Sequence, residues 1–126
     1  MEKTHSILII DDEHSIVEIV SIILKNAGYE VTADPGAEML FLKTGLNPDL
    51  ILLDNQIGGK SGALMCLDLK QNERTRGIPV ILVSATDDLK SLAQQACADD
   101  FLTKPFSIKP LLQKIEMLLS KNTVAC

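Results

Sequence analysis

Three acidic side chains, Asp11-Asp12-Glu13, follow the apolar run "SILII" (6–10), and a fourth, Asp54, ends the run "LILL" (50–53). Ser84 closes "IPVILVS" (78–84), and Lys104 follows "DFLT" (100–103). Acids at the opening of a helix favour its N-terminus, and that accounts for Glu13. It accounts less well for Asp11 and Asp12 if Asp54 lies beside them. Three converging carboxylates repel one another and raise a carboxyl pKa. A hard divalent cation relieves the conflict, since Mg²⁺ takes carboxylate, water and phosphate oxygens in an octahedron. A phosphoryl group carried by Asp54 would add negative charge to this acidic rim. The Lys104 ammonium could neutralise it, and the Ser84 hydroxyl could donate to one of its oxygens.

The stretch "GGKSG" (58–62) raises a second chemistry, because Gly59-Lys60-Ser61 resembles the end of a phosphate-binding loop. That motif needs a glycine five residues before Gly59, and Asp54 stands there instead. A carboxylate would face the nucleotide phosphates where backbone N–H groups are required, so the nucleotide reading fails.

The elements that must position these residues are legible from periodicity. Besides the runs above, "EVTA" (30–33) reads as a strand. Ile16, Val20, Ile23 and Ala27 share one helix face, with Val17 and Leu24 beside it, and Gly28 supplies the stop. Leu89, Leu92, Ala93 and Ala96 mark a shorter helix. Leu111, Ile115 and Leu118, flanked by Leu112 and Leu119, mark the last one, with Ser107 as N-cap and Pro110 in the first turn. Helices over 36–43 and 62–71 are less clearly periodic. "DPG" at 34–36 and "NPD" at 47–49 read as turns. Five strand–helix units with continuously apolar strands imply a parallel sheet covered on both faces. In such sheets sites form beyond the carboxyl ends of the strands, where the candidate residues fall.

Length and composition bound the function. The chain fits one domain, 1–126, with a core over about 6–120 and a tail at 121–126. It is 46% apolar, with no Trp, and its formal charge is −5. A mildly acidic domain is a poor candidate for direct nucleic-acid contact. No segment approaches the ~20 apolar residues of a membrane span, and the N-terminus does not read as a signal peptide. A cytoplasmic protein is expected. Cys66, Cys97 and Cys126 fit neither a disulfide framework nor a zinc motif, so free thiols are expected.

Taken together, the acidic pair in "LIIDDE", Asp54 in "LILLD", Gly62 eight residues later, Ser84-Ala85 after "VILV", and Lys104-Pro105 in "ADDFLTKPF" resemble a response-regulator receiver domain of two-component signalling over nearly the whole chain. The resemblance implies an α/β, flavodoxin-like, doubly wound five-stranded parallel sheet of order 2-1-3-4-5 with five helices. It implies Asp54 as phosphoacceptor, taking its phosphoryl group from the phosphohistidine of a histidine kinase or a phosphotransfer protein. Mg²⁺ would be held by Asp12 directly, by Asp11 mainly through water, by Asp54 and by the backbone carbonyl of Gln56. Ser84 and Lys104 would hold the phosphoryl oxygens, Phe101 would be the switch aromatic, and the Lys104-Pro105 bond would be cis.

Catalysis is then confined to the protein's own phosphorylation and dephosphorylation. The switched face would comprise the fourth helix, fifth strand and fifth helix (about 87–120). It would act on a downstream protein or on a second copy, and the lack of an output segment favours a stand-alone receiver. Gly58 departs from the family pattern, which has Pro there, as do Lys60, Ser61 and Cys97. The rival readings are an Asp-nucleophile phosphohydrolase, a flavin binder and a degenerate receiver that only binds. The first generally needs a carboxylate at position 56, which is Gln; the second lacks aromatic residues to stack on a flavin; the third is opposed by the full set of polar groups.

Overall fold

The computed structural model describes residues 4–34, 45 and 47–120. The elements run β1 (Ser6–Ile10), α1 (His14–Asn26), β2 (Glu30–Asp34), β3 (Leu50–Asp54), β4 (Gln56–Ile57), β5 (Lys60–Ser61), α2 (Gly62–Gln71), β6 (Val80–Ser84), α3 (Leu89–Gln95), β7 (Asp100–Thr103) and α4 (Ile108–Leu119). The five longer strands form one parallel sheet in the order β2-β1-β3-β6-β7, which is 2-1-3-4-5 when only those strands are numbered. Four helices lie among the described residues; the helix expected over 36–43 falls outside them, as does the tail.

Alternation along the central strands builds two cores from one sheet, because successive side chains point to opposite faces. Leu8, Ile10, Ile51, Leu53 and Leu82 pack with Met65, Cys66 and Leu69 of α2 and Leu89 and Ala93 of α3. Ile7, Ile9, Leu50, Leu52 and Ile81 pack with Val20 and Leu24 of α1 and Leu111, Ile115 and Leu118 of α4. The central strands therefore read as continuous apolar runs: each face has its own layer of helices.

Helix ends follow their sequence signals with one exception. After α1, Gly28 adopts φ +98°. The Tyr29 N–H then bonds the Leu24 carbonyl at 3.1 Å and the Gly28 N–H the Lys25 carbonyl at 3.0 Å, closing the last turn. Ser61 caps α2, its Oγ accepting the Leu64 N–H at 3.3 Å. Ser107 stands at the N-cap of α4, but its side chain makes no capping bond. Asp34 ends β2 and is buried; the rest of the turn expected at 34–36 lies outside the described residues.

Cys66 is a free, buried thiol as expected, while Cys97 is disulfide-bonded, against expectation. Three widely spaced cysteines carry no pairing signal, because pairing depends on tertiary distance. Burial pushes the Cys66 thiol up from 9.0 to about 11. A raised acid pKa stabilises the folded state below the unfolded pKa, and that contribution is lost as pH rises from about 9 to about 11. Cys66 should therefore resist alkylation at pH 8 in the folded protein and react once it is unfolded in urea. Peptide mapping after a timed alkylation checks this. Equal labelling in both states would contradict it.

Candidate functional site

Strand register brings the polar residues together. Ile10 pairs with Leu53 across β1 and β3, so Asp11, one residue beyond Ile10, reaches the level of Asp54. Asp54 pairs with Val83, placing Ser84 beyond it, and Ser84 pairs with Thr103, placing Lys104 next. These residues stand at or just beyond the carboxyl ends of neighbouring strands, on one rim. Beside Asp11 lies a cleft of ≈ 970 Å³ whose walls include Asp12, Asp54, Gln56, Gly58, Ser84 and Lys104.

Lys104 is the hub of the charges. Its Nζ lies 2.9 Å from Asp54 Oδ1 and 3.6 Å from Asp11 Oδ2. Burial works against the ammonium, but the Asp54 hydrogen bond and the fields of Asp54, Asp11 and Glu13 outweigh it, so its pKa is raised. Asp11 is buried, and burial raises its carboxyl pKa, with the charge of Asp54 adding to the effect. The Glu13 N–H, at 2.9 Å from Asp11 Oδ1, and Lys104 oppose that rise. The rise at Asp11 is thus mainly an effect of burial, with the neighbouring acid a lesser contributor. One carboxylate oxygen from each of Asp11, Asp12 and Asp54 falls within 4.8 Å of the others. All are hard oxygen donors, and the set fits a small divalent cation.

The remaining contacts hold these groups in place. Asp54 Oδ2 accepts the Gln56 N–H at 3.2 Å. Ser84 Oγ accepts the Thr86 N–H at 3.2 Å, and the Ser84 carbonyl accepts the Lys104 N–H at 2.8 Å. The Lys104-Pro105 bond is cis, as the resemblance implied. Phe101 sits apart from the cleft on β7, half-buried against the α2–α3 side of the core, with Lys114 Nζ 5.2 Å from its ring centroid. Lys114 in turn pairs with Asp100 at 2.9 Å.

Sequence reading did not single out Asn55. Its side-chain Oδ1 accepts the Ala63 N–H at 3.1 Å and its carbonyl the Gly62 N–H at 2.6 Å, tying the start of α2 to the end of β3. The one available signal was an Asn immediately after Asp54, a residue apt for local backbone bonding. Gly62 allows this approach: a Cβ there would collide with the Asp54 carbonyl oxygen and lie 2.7 Å from Asn55 Cα. Gly62→Ala should displace the backbone of Asp54 and destabilise the fold by about 1–3 kcal/mol, the usual cost of overpacking. Urea denaturation measures it, and a loss under about 0.5 kcal/mol, the size of an ordinary surface change, would show that the contact relaxes freely.

A parallel 2-1-3-4-5 sheet with an acid cluster and a lysine on its carboxyl rim defines a class, and the chain belongs to it. The response regulator receiver domain family matches residues 7–116. Among relatives, the DNA-binding dual master transcriptional regulator RpaA of Synechocystis sp. is 40% identical over 119 residues, covering 92% of this chain and 49% of that protein. The chain spans about half the length of the curated relatives it matches. Among solved structures, a response regulator from Chloroflexus aurantiacus has a TM-score of 0.86 at 28% identity, covering 94% of this chain and 100% of its own. The response regulator TrrA of Thermotoga maritima, solved in complex with Mg²⁺ and BeF, has a TM-score of 0.80 at 26% identity, with coverage of 91% and 99%. Among the described residues no helix is long and apolar enough to cross a membrane.

Proposed function

We propose that this chain is the phosphoacceptor of a two-component relay, with Asp54 as the residue phosphorylated. The observation that carries the reading is the Lys104 ammonium 2.9 Å from Asp54 Oδ1, in a cluster that also brings in Asp11 and Asp12. Asp11, Asp12, Asp54 and the Gln56 carbonyl would hold Mg²⁺, which when bound supplies charge neutralisation for an incoming phosphoryl group. The chain's own residues do the rest. The Asp54 carboxylate attacks phosphorus of a kinase or phosphotransfer-protein phosphohistidine. An Asp54 O–P bond forms, the N–P bond breaks, and the imidazole leaves with its electron pair. Lys104, charged throughout, moves its contact to a phosphoryl oxygen, and the Ser84 hydroxyl donates to another. A histidine kinase, directly or through a phosphotransfer protein, is the expected donor in the cytoplasm, and turnover of an external metabolite is no part of this function.

The output is a shift between two packings, which requires contacts that differ between them. Ser84, drawn toward the phosphoryl group, vacates space into which Phe101 turns. The exposed surface of α3, β7 and α4 then changes, and a separate protein or a second copy reads it. Chemical-shift mapping with beryllofluoride, a phosphoryl mimic, tests the reading. Shifts should extend from the Asp54 cleft to Phe101, Lys114 and α4. Shifts confined to the cleft would rule out this output route.

A further inference from the structure

Position 58 is one of the places where the sequence leaves the receiver pattern, and the structure shows a consequence. Gln56–Ile57 and Lys60–Ser61 pair as a short antiparallel hairpin, Gln56 with Ser61 and Ile57 with Lys60. Its two turn residues, Gly58 and Gly59, have φ +54° and +81°, the positive values a tight two-residue hairpin requires. The Ile57 side chain is fully buried and anchors the base. The tip is bare: both glycines are exposed, and a Cβ on Gly59 would meet nothing within 4 Å. From that tip the Gly58 N–H reaches across the cleft and donates to Asp12 Oδ2 at 2.7 Å. Proline has no N–H and a fixed negative φ, so it could make neither this turn nor this bond.

We propose that the Gly58–Asp12 hydrogen bond is a latch that holds the hairpin tip closed over the cation site and is released when a divalent cation engages Asp12. This rests on the cation reading above. Asp12 is the exposed member of the acid cluster. The bond from Gly58 is charge-assisted, so it draws its strength from the same carboxylate charge that a cation neutralises. The tip offers no side chain to hold itself down once that bond weakens. Cation and N–H therefore compete for one carboxylate, and linkage makes the competition reciprocal: whatever the cation takes from the latch, the latch takes from cation affinity.

The test is amide NMR on the unmodified protein, with Mg²⁺ as the probe. Without Mg²⁺ the Gly58 amide should be protected from exchange. At saturation it should move upfield and exchange faster by about fivefold or more, the lower range of measured couplings. If Mg²⁺ shifts the Asp54 and Asp12 signals but leaves Gly58 exchange unchanged, the latch is wrong while the cation site stands. If no Mg²⁺ binds at any concentration, both fall.

Discussion

Asp54→Asn is expected to abolish the uptake of phosphate from a small phosphodonor in Mg²⁺. The wild-type protein should take up one phosphate that is stable in acid, labile in base and released by hydroxylamine, as an acyl phosphate is. The substitution keeps the shape of the side chain. Asn can still accept the Gln56 N–H, so the loop after β3 should hold its course. What disappears is the carboxylate charge, shared by two oxygens of which one lies 2.9 Å from Lys104, and with it the nucleophile proposed to form the bond to phosphorus. Loss of a nucleophile is felt on a scale of at least about 10⁴-fold, so labelling should fall to background. Full labelling of a correctly folded Asp54→Asn protein would sink the assignment. Two companion variants separate the supporting roles. Asp12→Ala should weaken Mg²⁺ binding, because it removes an oxygen donor. Lys104→Ala should spare Mg²⁺ binding more and instead block the response to beryllofluoride, because it removes the charge facing the phosphoryl oxygens. Equal loss of cation affinity in the two would erase that division.

The largest effect on stability is expected far from the cleft, at Lys70. Its ammonium lies 2.6 Å from Asp99 Oδ2, 2.9 Å from the Ile78 carbonyl and 3.4 Å from the Arg76 carbonyl. The Lys70 and Asp99 side chains are only 5% and 2% exposed. Asp99 Oδ2 also accepts the Val80 N–H at 2.8 Å, while its Oδ1 is buried without a hydrogen-bond partner. The pair thus ties the end of α2 to the starts of β6 and β7. Lys70→Ala would leave a carboxylate buried with a single N–H donor, and breaking a buried pair in this way costs about 3–5 kcal/mol. The double change Lys70→Met with Asp99→Leu should recover part of that loss, since it removes the stranded charge and leaves only neutral groups without these partners, the Val80 N–H and the Ile78 and Arg76 carbonyls. Urea denaturation of the three variants measures both effects. A single-variant loss below about 1 kcal/mol, the range of exposed pairs, would mean that water screens this one too.

Much of the site was legible in the sequence because its residues are punctuation. Where a continuously apolar run stops, a buried parallel strand ends, and its carboxyl end is where such sheets place their chemistry. Asp11, Asp12, Asp54, Ser84 and Lys104 could be gathered on that rule without coordinates, and the periodic stripes of α1 and α4 supplied the covering layer. Strand order lay outside the pattern itself. An apolar run says that both faces are covered, not which strand is its neighbour, so the order came with the family resemblance and is seen in the sheet pairing. Tertiary structure alone decided three further things. The Lys70–Asp99 pair joins residues 29 apart in sequence, and neither looks different from a solvated surface charge until the chain closes around them. Asp34 is the last, buried residue of a strand because β1 is there to pair with it. The Gly58 bond to Asp12 spans 46 residues and depends on a backbone N–H whose direction is set by φ. Side-chain identity reports which chemistry a residue can perform. The aim of a backbone donor, and the burial of a charge, exist only once the sheet, hairpin and helices are in place.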